Sequence, residues 1–334
     1  MYDIITFGSA TWDIFMKTDK FQVVKNKSFI TGKGLCLSLG SKINIDQIAF
    51  SSGGGGTNSA VTFANQGFKT AYSGMVGNDI GGDKIIDELK GNNVDTKFIV
   101  KTSIKSTNHS VVLSDKGKRT ILVYRGASEL LSKRDIQWNK LKTKWFYLAP
   151  LSGMLAGFSK DIVDFAHKNK IKVAFNPGTT QLSLSSKILK EILEKVDILI
   201  LNQEEASLLT GIPFEKEKEI FKKIDQICPG IAIMTKGNNG VVVSDGKNIY
   251  KAKPLKIKVV DETGAGDSFS AGFVTGFINS GGDIESAIQF GIANANACLS
   301  GLGSKSNLLK KGDKFAKISI KKELCSENGL CKTK

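Results

Sequence analysis

The segment VVDETGAGDSFSAGF, residues 259–273, places a carboxylate in a turn that could also bind an anion. Gly264 and Gly266 flank Ala265, and Asp267 follows them in the first turn of a predicted helix. A glycine turn before a helix directs backbone N–H groups and the positive end of the helix dipole at a ligand. Asp267 could accept a proton from a hydroxyl held beside a phosphoryl group. A base and an anion hole in five residues suit phosphoryl transfer to an alcohol, although an ordinary glycine turn with an acidic helix start explains the pentapeptide equally well.

The elements that must position this turn alternate between strands and helices. The residues 2–8 predict a buried first strand, and from residue 144 onward strand segments such as KWFYLAP and DILILN alternate with helical segments such as FSKDIVDFAHKNK. Such alternation predicts parallel βαβ units and a sheet covered on both faces. Short alternating segments from about 14 to 52, and a hairpin over 107–124 with its turn at Asp115 to Lys118, predict a smaller β element. The last 25 residues predict a terminal helix and a frayed tail.

The composition excludes several classes of protein. No apolar run approaches the roughly 18 residues that span a membrane, and the N-terminus has no signal-peptide pattern, which favours a cytoplasmic protein. Five widely spread cysteines without a CxxC pair are typical of a reducing compartment and indicate no metal site. The formal net charge is +15 over 334 residues, but only three of the 47 cations are arginine. Because bidentate phosphate and base contacts favour arginine, we expect solvated lysine faces rather than nucleic-acid binding.

The other reactive residues give no clear sign of a metal site or a hydrolase site. His109 and His167 are the only histidines, and neither has a metal-ligand spacing. The serines lack the GxSxG elbow of a hydrolase. The phosphoryl-transfer turn therefore remains the strongest functional signal from the residues themselves.

Four segments of the chain, in order, resemble the signatures of the ribokinase-like (PfkB) family of carbohydrate and nucleoside kinases. They are GGGGTNSA (53–60), followed by GMVGNDIGGDKI; NQEE (202–205); TKGNNG (235–240); and DETGAGD (261–267), followed by SFSAGF. Four motifs in the family's order are far more specific than any single glycine motif.

The resemblance implies an α/β, ribokinase-like fold over residues 1–320, followed by a C-terminal tail over 321–334. In this fold a central, mostly parallel sheet is flanked by helices in a Rossmann-like, three-layer arrangement. The small β element, from about 14–52 and 102–124, then corresponds to the family's lid, which covers the acceptor and excludes water. The family also implies a homodimer formed through that lid.

On the donor side, the resemblance implies an ATP- and Mg²⁺-dependent kinase with Asp267 as the base and the turn Gly264, Ala265 and Gly266 as the anion hole. Glu205 would order Mg²⁺ through water, although a local contact at a helix N-terminus is an alternative role. The implied ATP-binding residues are Asn202, Thr235, Gly237, Gly240, Gly266 and Asn294. Asp261 and Thr263 match the segment that holds K⁺ in many relatives.

On the acceptor side, the resemblance assigns a sugar or nucleoside to Asp13, Gly53, Gly54 and Asn58. A carboxylate can accept hydrogen bonds from two adjacent hydroxyls, and glycines allow close backbone approach. Two departures from ribokinase itself remove polar contacts to a free pentose: Gly55 stands where ribokinase has lysine, and Pro150 where it has glutamate. They favour a nucleoside over a free sugar. The alternative function is a catalytically silent kinase fold that binds nucleotides or nucleic acid.

Overall fold

The structure is a computed structural model that describes residues 1–27, 32–115, 118–151 and 153–325. Within these residues the chain forms sixteen strands: β1 (Tyr2–Phe7), β2 (Thr11–Lys17), β3 (Gln22–Lys25), β4 (Lys33–Cys36), β5 (Gln47–Gly53), β6 (Thr70–Gly77), β7 (Val94–Thr102), β8 (Asn108–Asp115), β9 (Lys118–Tyr124), β10 (Thr143–Leu148), β11 (Lys172–Phe175), β12 (Ile198–Asn202), β13 (Ile231–Thr235), β14 (Val241–Ser244), β15 (Asn248–Ala252) and β16 (Ile320–Leu324).

The same residues form ten α-helices: α1 (Gly55–Asn65), α2 (Ile80–Gly91), α3 (Gly153–Gly157), α4 (Ser159–Lys168), α5 (Thr179–Leu182), α6 (Ser186–Leu193), α7 (Gln203–Thr210), α8 (Glu217–Ile227), α9 (Ala265–Asn279) and α10 (Ile284–Leu299). Local sequence fixes several of their ends. Asp79 caps α2 by accepting a 2.8 Å hydrogen bond from the N–H of Gly82, and Asp283 caps α10 in the same way through Ser286 at 2.7 Å. Gly211 ends α7 in the left-handed conformation.

Ten strands form one large sheet in the order β16-β15-β14-β13-β12-β11-β10-β1-β6-β7. The seven strands from β13 to β7 are parallel to their neighbours, whereas β14, β15 and β16 add antiparallel pairs at one edge. Parallel strands need crossover helices, and these cover both faces of the sheet. The predicted α/β architecture with a mostly parallel sheet is therefore confirmed.

Alternate residues of each central strand enter different cores. On β10, Phe146 stacks on Phe165 of α4 with ring centroids 6.2 Å apart, while Tyr147 meets Phe63 of α1 edge-on at 5.4 Å. Both strand residues are fully buried. Burying one such side chain stabilises the fold by about 1.5–3 kcal/mol. The period of two along the strand thus fixes which helices pack on which face.

A separate four-stranded sheet, called the small sheet below, has the order β5-β2-β8-β9. It corresponds to the β element predicted from about 14–52 and 102–124, and it includes the predicted hairpin, of which residues 116–117 lie outside the described part of the chain. In its register Asp13 lies between Ser51 of β5 and Ser110 of β8. The strands β3 and β4 pair with each other as a two-stranded ribbon.

The prediction of a terminal helix in the last 25 residues is wrong for their described part. Ile320–Leu324 forms β16, which pairs antiparallel with β15 at the edge of the large sheet. The predicted boundary at residue 320 therefore falls at the start of a strand, while residues 326–334 of the predicted tail lie outside the described residues. Across the described ranges, no helix combines the length and hydropathy needed to cross a bilayer.

Candidate active site

The candidate residues gather at the carboxyl ends of the parallel strands. Asn202 ends β12, Thr235 ends β13, and Pro150 lies two residues after β10. In open α/β sheets this edge is where ligands bind, because the loops that follow the strands leave a crevice there. The small sheet starts at Thr11, four residues after the end of β1, and brings Asp13 to the same edge.

The turn at the start of α9 is open where an anion could approach. Gly264 is the N-cap residue, has φ of 79°, and offers no side-chain hydrogen bond to the helix. The first N–H groups of a helix have no partner within it. Gly266 is exposed, and a Cβ at this position would have no neighbour within 4 Å. The N-terminus of α9 is therefore an unblocked, electropositive site.

Asp267 lies in the first turn of α9 and is held from across the cleft. Asn58 Nδ2 of α1 donates a 2.8 Å hydrogen bond to Asp267 Oδ2, and Asn58 Oδ1 accepts one of 2.9 Å from Ser304 Oγ. Burial raises the pKa of Asp267, whereas the hydrogen bond from Asn58 and the charge of Lys305 lower it. These opposing effects suit a carboxylate that must both ionise and accept a proton.

Asn58 itself differs from expectation. The resemblance implied that its amide contacts the acceptor, but its side chain is buried and both ends of the amide are hydrogen-bonded within the chain. The structure brings Asn58 to the site as the partner of Asp267.

Asp13 presents an unpaired oxygen at the other side of the cleft. The residue is 7% exposed, and within the described residues its Oδ1 has no hydrogen-bond partner. Burial raises the pKa of Asp13, while a hydrogen bond from Ser110 and the charge of Lys305 lower it. A buried, unpaired carboxylate oxygen is costly unless a ligand satisfies it.

Gly53 and Gly54 permit close approach by neighbouring residues. A Cβ at position 53 would lie 2.1 Å from Asp13 Oδ2, so only glycine lets that carboxylate rest against the backbone. Gly54 has φ of 98°, and its Cβ would lie 2.4 Å from the carbonyl oxygen of Ser9. Both predicted glycines therefore shape the wall beside Asp13.

Asn202 and Glu205 form a reciprocal capping box at the start of α7. The Asn202 side chain accepts from the Glu205 N–H at 2.8 Å, and Glu205 Oε2 accepts from the Asn202 N–H at 2.9 Å. This is the local contact considered as the alternative role of Glu205. Burial raises the pKa of Glu205, and the charge of Asp267 raises it further.

The side chains available as metal ligands suit a magnesium ion that is held indirectly, through water. Among the described residues no group of three or more histidine, cysteine or acidic side chains is arranged to hold a metal ion. Mg²⁺ retains several waters and is often held by one or two carboxylates together with substrate phosphates. Glu205, a partly buried carboxylate within electrostatic range of Asp267, suits that kind of indirect contact.

A groove of about 650 Å³ runs from the N-terminus of α9 along the loop after β13. Thr235, Gly237, Gly240 and Gly266, all predicted to bind ATP, line it. The described residues that supply its apolar walls include Leu255, Ile257, Val259, Phe269, Ile292 and Leu299. Its size and apolar lining suit a nucleoside triphosphate whose phosphates reach the start of α9.

Asn294, also predicted to bind ATP, does not reach this groove. Its side chain is fully buried; Nδ2 donates to the Ser268 carbonyl at 2.9 Å and Oδ1 accepts from the Leu309 N–H at 3.0 Å. Asn296 lines the groove instead. The side chain of Asn294 instead joins α10 to α9.

Asp261 and Thr263, the expected K⁺ segment, are tied to each other and to the loop after α10. Asp261 Oδ1 accepts from both the N–H (3.0 Å) and the Oγ1 (2.8 Å) of Thr263. Asp261 Oδ2 accepts from the Gly303 N–H at 3.0 Å. The carboxylate thereby fixes the two loops that flank the start of α9.

Sequence reasoning missed several residues of the site. Lys256 and Asn296 line the groove, and the loop after α10 contributes Ser304 and Lys305. The spacing of α10 could have indicated Asn296, because it shares a helical stripe with Ile292 and Leu299. The contacts of Ser304 and Lys305 join distant segments and have no local signal.

Comparisons with known proteins agree with this geometry. The profile of the pfkB family of carbohydrate kinases matches residues 3–311. A ribokinase from Haemophilus influenzae is 29% identical over 278 residues, which cover 78% of this chain and 85% of that protein. Among solved structures, Arabidopsis thaliana ribokinase complexed with ribose and ATP matches with a TM-score of 0.74 and 23% identity, over 92% of this chain and 96% of that one. A nucleoside kinase from Methanocaldococcus jannaschii matches with a TM-score of 0.72 and 22% identity, over 92% and 95% of the two chains.

Proposed function

Because the chain belongs to the pfkB family of carbohydrate kinases and is a phosphotransferase with an alcohol acceptor, we propose that it transfers the γ-phosphate of ATP to a primary hydroxyl of a sugar or nucleoside. One observation carries the proposal. Asp267, oriented by Asn58, stands at the open N-terminus of α9, between the donor groove and the unpaired carboxylate oxygen of Asp13.

In this proposal each residue of the site has a separate role. Asp13 holds two hydroxyls of the acceptor, so that the primary hydroxyl at its other end meets Asp267. As the acceptor oxygen forms its bond to the γ-phosphorus, the bond from that phosphorus to ADP breaks, and the hydroxyl proton passes to Asp267. The N–H groups of the Gly264–Ala265–Gly266 turn and of Asp267 stabilise the charge on the transferring phosphoryl group. Asp267 then returns the proton to solvent.

Metal ions belong to the donor side of the proposal. Glu205, and Asn202 beside it, would hold Mg²⁺ through water, and the ion would neutralise charge on the donor phosphates. K⁺ near Asp261 and Thr263 would support the shape of the turn before α9. We therefore expect a faster reaction with K⁺ than in a choline buffer free of alkali ions; equal initial rates in the two buffers would remove K⁺ from the proposal.

The wall beside the base favours a nucleoside as acceptor. A Cβ at Gly55 would lie 3.1 Å from both Ala149 Cβ and Pro150 Cδ, and 3.3 Å from Asp267 Oδ1. The two positions that depart from ribokinase, Gly55 and Pro150, are thus neighbours beside the base. Neither offers a side-chain donor or acceptor to a sugar hydroxyl, and a free pentose would leave such a hydroxyl unpaired. An acceptor with a base or another substituent at that end avoids this cost.

The small sheet acts as the lid in this proposal. We also propose that a second copy of the chain binds to the small sheet and forms a homodimer. Several large apolar side chains of the small sheet are exposed: Ile48, Phe50, Ile121, Leu122, Val123 and Tyr124. Exposed apolar side chains of this kind favour protein association. Sedimentation velocity of the full chain tests for the dimer.

The deciding experiment is a panel assay of ADP release with ATP and Mg²⁺ against ribose, fructose, other sugars and the common nucleosides. The proposal expects turnover with at least one compound, and its finer form expects a nucleoside to exceed free ribose in kcat/KM. The alternative, a silent fold that binds polyanions, predicts salt-dependent retention on a polyanion resin and no turnover with any compound. The presence of Asp267 and the open turn before it favours the kinase.

A further inference from the structure

Lys305 is a buried lysine beneath the acceptor side of the site. Its side chain is only 8% exposed, and its Nζ lies 3.3 Å from Glu88 Oε1 of α2. The same Nζ donates a hydrogen bond to the Oγ of Ser52, near the end of β5. Ser52 Oγ in turn donates to Glu88 Oε1 at 2.8 Å. Lysine is almost never buried to this degree without a partner, and here it joins α2 to the small sheet.

The turn that carries Lys305 also reaches the base. Ser304, the preceding residue, donates to Asn58 Oδ1, and Asn58 donates to Asp267. A Cβ on Gly264 would lie 2.4 Å from Ser304 Cβ, so the turn is packed against the N-cap of α9. Hydrogen bonds thus connect Glu88 and Lys305, through one loop, to the residue that orients Asp267.

The ammonium of Lys305 also acts on both carboxylates of the cleft. Its charge lowers the pKa of Asp13 and of Asp267, against the burial that raises both. Burial lowers the pKa of Lys305 itself, while the charges of Glu88, Asp13 and Asp267 raise it. Asn58 also affects the pKa of Asp267, and Ser110, His109 and Asp261 affect the pKa of Asp13. The charge of Asp267 in turn raises the pKa of Tyr147, Glu205 and Cys298.

We propose that Lys305 is a positioning residue of the acceptor site: its turn fixes Asn58 against the base, and its buried ammonium is held at Ser52, next to the Gly53 backbone on which Asp13 Oδ2 rests. A fixed cation in a poorly hydrated site favours the ionised form of a nearby carboxylate. Glu88 offsets part of that charge. The proposal builds on the role of Asp267 as the base, and it assigns to Lys305 a part in keeping that base ionised before the acceptor binds.

Lys305 and Glu88, the two partners of the ion pair, must then change the pKa of Asp267 in opposite directions. In Lys305→Met the base loses its cation, whereas in Glu88→Gln the cation loses its counter-charge and acts on Asp267 more strongly. An ion pair that served only to hold α2 to the small sheet would be broken equally by either substitution. The sign of the effect therefore separates an electrostatic role from a structural one.

The experiment is a pH titration of the Asp267 carboxyl carbon by NMR, in full-length protein labelled with ¹³C at the aspartate side-chain carboxyls and with Asp267→Asn to assign the resonance. We expect Lys305→Met to raise the midpoint by at least about 0.5 pH unit. We expect Glu88→Gln to lower the midpoint and Lys305→Arg, which keeps the charge, to leave it near the wild-type value. Lys195→Met is the matched control, because Lys195 is partly buried and paired with Asp164 of α4; it should not move the midpoint.

Shifts of the same sign in Lys305→Met and Glu88→Gln, or no shift in either, would overturn the proposal. If Lys305→Met does not fold, a lowered midpoint in Glu88→Gln together with an unmoved one in Lys305→Arg supports it, and any other result for that pair overturns it. The titration needs no acceptor. It therefore tests Lys305 even where the wild-type protein phosphorylates none of the compounds in the panel, a result that would count against the proposed function alone.

Discussion

Asn58 and Asp267 are 209 residues apart in the chain and are joined by a 2.8 Å hydrogen bond from the amide to the carboxylate. The bond occupies Asp267 Oδ2. The other oxygen, Oδ1, lies on the side of Gly55, where a Cβ would approach it to 3.3 Å. Because Ser304 fixes the orientation of the Asn58 amide, one oxygen of Asp267 is held by the protein and the other lies towards Gly55. This geometry suits the directional proton transfer that we propose for Asp267.

The first prediction concerns the base. Asp267→Asn keeps an oxygen that can accept from Asn58 but removes the proton acceptor. We expect ATP affinity to stay within a factor of about 3 of the wild-type value and turnover to fall by roughly two to four decades, the usual scale for general-base catalysis. Isothermal titration with a non-hydrolysable ATP analogue measures the first quantity, and steady-state ADP release measures the second. Near-normal turnover in this variant would exclude Asp267 as the base.

The second prediction is a pH dependence of stability. Burial makes the pKa of Asp267 higher in the folded protein than its ordinary value of 3.8. The folded state therefore keeps this proton to higher pH than the unfolded chain, which stabilises the fold in acid and loses that contribution as pH rises through the folded pKa. Asp267→Asn carries no such charge. Its Tm should exceed that of the wild type at pH 7, and the difference should shrink as pH falls towards 4.

Differential scanning calorimetry of the two proteins at several pH values makes this comparison. Asp87→Asn, at an exposed position on α2, is the control for a general loss of negative charge. If the Tm difference between Asp267→Asn and the wild type were the same at pH 4 and pH 7, the carboxylate of Asp267 would not be the source of the effect.

The third prediction separates the anion hole from the stability of its turn. Gly266→Ala adds a methyl group in open space at the mouth of the turn, and alanine is about 1 kcal/mol better than glycine within a helix. The variant should therefore keep or raise its Tm, while the methyl group obstructs the donor phosphates and raises the KM for ATP severalfold. Gly264→Ala is its counterpart: φ is 79° and the new Cβ would lie 2.4 Å from Ser304 Cβ, so this variant should lose stability. A lower Tm for Gly266→Ala than for Gly264→Ala would contradict this reading of the turn.

The alternating strands and helices and the signature residues were predictable because their sequence signals are local. The buried run in DILILN gave β12, and the glycines of residues 264–266 gave the start of α9. The helical period also explains the position of Asn294. Ile292, Ala295, Asn296 and Leu299 occupy one stripe of α10 and line the groove, whereas Asn294 points away from that stripe into the contact with α9.

Contacts between distant segments could not be predicted in this way. The lysine-rich segment Ile320–Leu324 gave no strong strand signal by itself, and it becomes a strand because β15 offers an unpaired edge. Its charged side chains suit an edge position. Lys305 likewise looked like one more surface lysine among 44, since only the tertiary structure brings Ser52 and Glu88 to its ammonium.

The last prediction concerns the binding of the acceptor by Asp13. Asp13 Oδ1 is buried and has no partner among the described residues, so we expect it to accept a hydrogen bond from a ribosyl hydroxyl. Removing the carboxylate would leave that hydroxyl unpaired at a cost of about 1–3 kcal/mol per lost partner. Asp13→Ala should therefore raise the acceptor KM at least about tenfold, since about 1.4 kcal/mol corresponds to one decade. The KM for ATP should stay almost unchanged, because Asp13 does not line the donor groove.

The substrate offers the complementary test of the same contact. A nucleoside that lacks its 2′-hydroxyl should lose efficiency with the wild-type enzyme, because the buried oxygen of Asp13 then has one partner fewer. With Asp13→Ala the nucleoside and its 2′-deoxy analogue should become nearly equal in kcat/KM, since neither can make the contact. This double comparison assigns the hydroxyl to the residue, which neither single comparison can do. If the wild-type enzyme uses both compounds equally well and Asp13→Ala leaves the acceptor KM unchanged, the acceptor is not held at Asp13.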